Sequence, residues 1–211
     1  MNNKIKIKCN RYLLKKYDES YFKKVFPKTD YSKIQYDCEG LYSITNPIEA
    51  QKISNLIKSK LHNNDSLNIF DGTGGLGGNT INFAINFKSV TTCELNIKRY
   101  NMLVNNIDQY DLKNVIKLNT NSIDYLYNNY NNFDVFFFDP PWGGPTYKKY
   151  KNLSLKMNNK SLLEIAQYLK DKIINKLLIY KLPYNYNFNE FNQFNYKLYK
   201  INKYYIMIIK I

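Results

Sequence analysis

The sequence predicts an α/β protein, a doubly wound and mostly parallel sheet carrying a small helical N-terminal lobe. Three observations predict it. From Leu67 onward short apolar runs alternate with segments of helical periodicity. The run Phe133–Phe138 is apolar on nearly every residue, as a strand covered on both faces must be. A glycine-rich segment follows the first of these strands just where a helix begins, so backbone amides there are open to a ligand.

Residues 1–46 form the expected lobe. Between Asn10 and Val25 apolar and aromatic residues recur at helical spacing among lysines, and a polar stretch from Pro27 to Gln35 follows. Residues 47–211 form the second domain. Pro47 suits the first turn of a helix running to about Leu61, with Ile48, Ile53, Leu56 and Ile57 on its inner face. Strands are predicted at Leu67–Asp71, Val90–Glu94, Val115–Leu118, Phe133–Asp139 and Leu177–Lys181, and helices at Asn79–Phe87, Ile97–Gln109 and Lys160–Ile174. The Asn-rich piece Tyr127–Asn132 reads as loop. Tyr196–Ile211 reads as two strands joined at Asn202 and Lys203, a hairpin at one sheet edge.

A chain of 211 residues with 44% hydrophobic side chains can bury one core and a small appended lobe. No stretch approaches the roughly 20 apolar residues of a membrane span. Met1–Cys9 alternates Lys and Ile rather than running apolar like a signal peptide, so an intracellular protein without membrane contact is expected. Cys9, Cys38 and Cys93 are widely spaced and suit a reducing compartment better than a disulfide framework. With His62 the one histidine, no metal site is expected, and His62 itself reads as a surface residue rather than a general base. The net charge of +14 attracts a polyanion, nucleic acid above all, but abundant Lys, Asn, Ile and Tyr also follow from an AT-rich genome.

The segment Asp71-Gly72-Thr73-Gly74-Gly75-Leu76-Gly77-Gly78-Asn79 places Gly72, Gly74 and Gly77 at G-x-G-x-x-G spacing. Glu94 ends the next strand, where a carboxylate accepts hydrogen bonds from ribose hydroxyls. Nucleotide-like cofactor binding follows. Asp71 favours S-adenosylmethionine over a dinucleotide, since its carboxylate can engage a methionine amino group but would repel a pyrophosphate. No Gly-Lys-Ser/Thr closes the segment, which excludes a P-loop. A turn without a ligand would not need four glycines in the five residues Gly74–Gly78, each costly in backbone entropy.

Asp139-Pro140-Pro141-Trp142 ends the apolar strand. The exocyclic amine of a nucleobase is a poor nucleophile because its lone pair is delocalised into the ring. An enzyme must therefore hold it and accept its hydrogens. The Asp139 carboxylate and the Pro140 carbonyl are both suitable acceptors, the prolines stiffen the loop, and Trp142 offers a flat face to a base. Positioning for in-line attack on a cationic donor would supply most of the rate.

Trp142 continues into Gly143-Gly144-Pro145-Thr146-Tyr147, and the whole resembles the Pro-Pro-Trp-Gly-Gly-Pro-x-Tyr signature of the trimethylguanosine synthase family. Gly75-Leu76-Gly77-Gly78-Asn79-Thr80-Ile81 is similar to that family's Gly-x-Gly-Gly-Asn-Thr-Ile loop, and Glu39-Gly40-Leu41-Tyr42-Ser43-Ile44-Thr45 to its Glu-Gly-Trp-Phe-Ser-Val-Thr segment. The likeness runs from about Arg11 to the C-terminus. It implies a class I, Rossmann-like methyltransferase domain that methylates the N2 amine of the 7-methylguanosine cap on RNA, to 2,7-dimethylguanosine and on to 2,2,7-trimethylguanosine if a second methyl is added. S-adenosyl-L-methionine is the implied cofactor and capped RNA the implied partner. A minimal, monomeric, viral-type enzyme acting in nucleus, cytoplasm or viral factory is expected.

By this resemblance Asp139, Pro140 and Trp142 are catalytic. Asp71, Thr73, Gly75, Gly77, Asn79, Glu94, Asn121 and Thr45 surround the donor, and Trp142, Pro141, Tyr147, Lys181 and Asn185 take the substrate. A cationic 7-methylguanine over the indole gains about 0.5–2 kcal/mol. Three positions depart from the family. Asp139 replaces a serine usual in cellular members, Asn121 replaces an adenine-contacting aspartate, and Tyr184 stands where an arginine meets the cap phosphates, a role that passes to Lys181, Lys148 or Lys149. The alternatives are an amino-methyltransferase acting on guanine or adenine inside rRNA or DNA, which must extract its base from a stack, and a non-catalytic RNA-binding protein, which leaves the glycine loop unexplained.

Overall fold

A computed structural model describes residues 18–61 and 66–211. Cys9 and His62 lie outside them. The described part of the N-terminal segment is helical. Helix α1 (Glu19–Val25) is capped by Asp18, α2 (Cys38–Ser43) by Asp37, and α3 (Pro47–Lys58) by Asn46, each side chain accepting from an amide of the first turn. Phe22, Val25, Phe26, Ile34 and Leu41 are buried against Leu76, Ile81, Met102, Leu103 and Ile107. At about 1.5–3 kcal/mol per buried large side chain, this cluster is the main attachment of the segment. Asn106, fully buried within it, accepts from the Gln35 amide and donates to the Gln35 and Leu76 carbonyls.

On α3 the buried positions are Ala50, Ile53, Ser54 and Ile57, an i, i+3, i+4, i+7 stripe. Ile48, expected on the inner face, is 64% exposed because it falls off that stripe in the first turn.

The sheet contains β1 (Asn68–Asp71), β2 (Ser89–Cys93), β3 (Val115–Leu118), β4 (Val135–Phe138), β7 (Leu177–Pro183), β8 (Tyr196–Ile201) and β9 (Tyr204–Lys210), in the order β3-β2-β1-β4-β7-β9-β8. The first five are parallel, and β4 is buried at every residue, as its unbroken apolar run required. Helices α4 (Gly78–Asn86) and α5 (Ile97–Asp108) form the first two crossovers. The C-terminal hairpin turns at Asn202, whose φ of 54° is left-handed. Its two strands differ: β9 inserts antiparallel between β7 and β8, so β8 alone forms the edge, where Lys197 and Lys200 discourage further pairing.

Tyr127–Asn132 is not a loop. Helix α6 (Ser122–Asn129) and a 3-10 turn at Tyr130–Asn132 occupy it, because Asn121 caps the helix and Ile123 and Leu126 bury one face. A short hairpin, β5 (Lys156–Met157) and β6 (Lys160–Ser161), turns through Asn158 and Asn159 at φ 46° and 63°. The helix expected at Lys160 begins instead at Leu162 (α7, Leu162–Lys170), set by a capping box between Ser161 and Glu164. Cys93 is a free buried thiol, whereas Cys38 is disulfide-bonded, contrary to the expectation of unpaired cysteines.

Candidate active site

Beyond the carboxyl ends of β1, β2, β4 and β7 lies a cavity of about 650 Å³, where open α/β sheets place their ligands. The loop after β1 forms one wall through Thr73, Gly75 and Asn79, with Glu94 beside it and Asn121 below. Asp139, Pro140, Pro141, Trp142 and Tyr147 form a second stretch of wall, and Thr45 and Lys181 line the cavity as well.

The glycines of the loop are fixed by the chain's own packing. A Cβ on Gly72 would lie 2.3 Å from the Phe138 ring, and one on Gly78 would lie 2.5 Å from the Thr45 carbonyl oxygen. Gly77 has φ 99° at the start of α4 and faces Ile81 and Leu103, so it does not line the cavity as expected.

Asp71 does not line it either. The side chain is fully buried behind the loop, where it accepts from the Thr80 hydroxyl at 2.6 Å and the Thr73 amide at 3.1 Å. Burial pushes its pKa up to about 6. Asn185 is likewise buried away from the cavity, donating to the Tyr147 and Tyr150 carbonyls and holding the turn that carries Tyr147.

Lys181 reaches the cavity, but its ammonium is taken. It donates to Asp139 Oδ2 at 2.6 Å and to Thr45 Oγ1 at 2.9 Å, so the expected phosphate contact is replaced by an internal ion pair. Asn79 Nδ2 donates to the same threonine at 3.1 Å, and the Asp139 amide donates to Thr73 Oγ1 at 2.7 Å. Donor loop and acceptor wall are thus one network. Burial raises the Asp139 pKa against the pull of Lys181, and burial also raises that of Glu94. Buried Asp71 and half-buried Asp139 and Glu94 surround one loop, with Lys181 paired to Asp139 alone, an excess of carboxylate that favours a cationic ligand.

The cavity fits S-adenosylmethionine on its own residues. Asn79 Oδ1 is buried with no hydrogen-bond partner among the described residues, an acceptor open to a donor such as an amino group. Glu94 accepts from the Gly75 and Asn96 amides, one on each oxygen, and each oxygen keeps a lone pair for a hydroxyl. Asn121 Oδ1 caps α6 through the Ile123 amide and likewise keeps a lone pair.

Trp142 is held rigidly. Its Nε1 donates to the Lys181 carbonyl at 3.3 Å, and Tyr147 meets it edge-on with centroids 5.3 Å apart. Residues 66–211 match the RNA cap guanine-N2 methyltransferase family. The chain belongs to that family. A protein of Acanthamoeba polyphaga mimivirus is 39% identical over 191 residues, covering 79% of this chain and 75% of the viral one. The trimethylguanosine synthase of Saccharomyces cerevisiae is 28% identical over 160 residues, covering 74% of this chain and 47% of the yeast enzyme, so the chain spans less than half of that relative. Among solved structures, an S-adenosylmethionine-dependent methyltransferase of Streptococcus mutans overlays with TM-score 0.58 at 12% identity over 80% of this chain and 50% of that one. A 16S rRNA N2 methyltransferase of T. thermophilus, solved with AdoMet and guanosine, gives 0.56 at 12% over 83% and 43%. These two establish the class I methyltransferase fold.

This cap guanine-N2 methyltransferase family member is thus an S-adenosylmethionine-dependent methyltransferase. Its cavity also contains residues that sequence reasoning missed. Lys156 and Met157 come from the β5–β6 hairpin, and Lys203 and Tyr204 from the β8–β9 turn. No spacing linked them to the glycine loop. Arg99 was missed as well: it pairs with Asp37 at 2.9 Å and Glu39 at 2.7 Å, joining α2 to α5 at the cavity rim.

Proposed function

We propose that this chain transfers a methyl group from S-adenosylmethionine to the exocyclic N2 of 7-methylguanosine at the 5′ end of RNA, giving 2,7-dimethylguanosine and, on any second turnover, 2,2,7-trimethylguanosine. The observation that carries this reading is the shared wall of Asp139 and Trp142, an acceptor for an amine beside a pinned indole. In this reading Glu94 accepts from the donor's ribose hydroxyls, Asn121 from its adenine amine, and Asn79 Oδ1 from its amino group, with Thr45, Thr73 and Gly75 alongside. Asp71 and Gly77 shape the loop from behind.

When bound, the donor supplies an electrophilic methyl on a sulfonium. The protein's part is to hold the nucleophile. Lys181 occupies Asp139 Oδ2 and leaves Oδ1 to accept one N2 hydrogen, and the Pro140 carbonyl accepts the other. Both contacts aim the nitrogen lone pair at the methyl. Lys181 keeps Asp139 ionised, while burial makes it a stronger base, so it can take the proton that N2 gives up. Trp142 stacks on the cationic 7-methylguanine, and Pro141 and Tyr147 border it. Lys148, Lys156 and Lys203 line the cavity and offer charge to the cap phosphates.

Trp142 is the single tryptophan of the chain, so its fluorescence reports stacking directly. Titration with 7-methyl-GTP is expected to quench it, and GTP at equal concentration is expected to do so far less. Equal quenching by both, or by neither, contradicts the reading.

A further inference from the structure

A second concavity, of about 540 Å³, lies between α3 and the edge strand β8. Lys52, Asn55 and Leu56 line it from the helix, and Leu198, Tyr199 and Lys200 from the strand. Chain continuity ties it to the active site on both sides. Glu49, one helical turn before Lys52, lines the active-site cavity, where it accepts from Asn202 at 3.0 Å and the Tyr204 hydroxyl at 3.1 Å. Asn202 and Lys203, which follow directly on the groove-lining end of β8, line that cavity as well. The groove therefore begins one helical turn from the active-site cavity, on the far side of the Glu49 contacts to Asn202 and Tyr204, and follows α3 away from it. Lys52 to Ser59, the groove-lining part of the helix, spans about 10 Å at 1.5 Å per residue.

The chemistry of the groove is that of a single-strand track. None of its lining residues is acidic, and Lys52 and Lys200 are exposed. The Lys60 ammonium lies 5.0 Å from the Tyr199 ring, which places a cation beside an aromatic surface. Cations for phosphates and apolar surface for bases are what sequence-independent single-strand binding needs. A protein strand added to β8 would have to pair beside Lys197 and Lys200, which work against it.

We propose that this groove carries the first nucleotides of the RNA downstream of the cap, a role that rests on the cap reading. At about 3.4 Å per stacked nucleotide its length suits roughly three of them. The groove gives the enzyme affinity for RNA that a free cap nucleotide does not receive.

The test compares 7-methyl-GTP with a capped ten-nucleotide RNA, on wild type and on the Lys52→Glu, Lys200→Glu double variant. The variant is expected to methylate 7-methyl-GTP at the wild-type rate, which also shows that it is folded. It is expected to bind capped RNA roughly tenfold more weakly, with the slope of log affinity against log salt reduced by about 1.4 for two lost phosphate contacts. If 7-methyl-GTP is methylated but capped-RNA affinity and salt slope are unchanged in the variant, the groove proposal is overturned alone. If wild type does not methylate 7-methyl-GTP, the cap reading is overturned and the groove's role goes with it.

Discussion

Lys181 and Asp139 form a 2.6 Å ion pair inside the cavity wall, with side chains only 6% and 17% exposed. Removing one partner of such a pair leaves the other charge buried and costs on the order of 3–5 kcal/mol. Lys181→Met is therefore expected to be strongly destabilised. Asp139→Ser combined with Lys181→Met is expected to recover much of the loss, since it restores the serine that the family usually carries and leaves no lone charge. Denaturant unfolding of the two variants decides it: a Lys181→Met midpoint equal to wild type shows that the pair contributes nothing.

Asp71 gives a pH dependence of unusual sign. Burial lifts its carboxyl to about 6 from an ordinary 3.8, so the folded protein holds that proton more tightly than the unfolded chain. The resulting stability is fully present below about pH 4 and is lost as pH rises through 6, about 3 kcal/mol at roughly 1.4 kcal/mol per pH unit. Asp71→Asn retains an acceptor for the Thr80 hydroxyl and removes the titration. Relative to that variant, wild type is expected to lose stability between pH 4 and 6.5. Parallel stability curves for the two proteins would show that Asp71 titrates alike folded and unfolded.

Gly78→Ala tests the join between α4 and the segment before α3. Its Cβ would meet the Thr45 carbonyl at 2.5 Å, and moving Thr45 disturbs its bonds to Asn79 and Lys181. Weaker binding of S-adenosylhomocysteine and lower stability, by about 1–3 kcal/mol, are expected together. Calorimetry showing wild-type affinity would mean that Thr45 moves without consequence for the donor.

Glu94→Ala and Asn79→Ala each remove an acceptor from the proposed donor site. Each is expected to weaken S-adenosylhomocysteine binding by roughly 10- to 100-fold, the usual effect of losing a hydrogen bond to a charged group. Unchanged calorimetric affinity in both would remove these residues from the donor site.

The sheet was legible in the sequence because short β-branched or apolar segments alternate with helical periodicity, and β4 announced its central place through Phe136, Phe137 and Phe138. Helix α6 was not, since its asparagines mimic loop composition while Asn121, Ile123 and Leu126 supply cap and buried face. The site motifs were legible as types but not as directions. A carboxylate at a strand end can face a ligand or the loop behind it, and Asp71 faces the loop. Lys181 looked like a free cation because its partners are Asp139, 42 positions away, and Thr45, 136 away.

The most direct test of the account is methyl transfer itself. Mass spectrometry of 7-methyl-GTP and GTP, each incubated with the enzyme and S-adenosylmethionine, is expected to show a methyl added at N2 of 7-methyl-GTP and little on GTP. Trp142→Phe is expected to keep part of that activity and Trp142→Ala to lose most of it, with donor affinity unchanged in both. Equal methylation of GTP and 7-methyl-GTP, or a wild-type rate in Trp142→Ala, would contradict cap specificity and leave an amino-methyltransferase that acts on guanine without reading its charge.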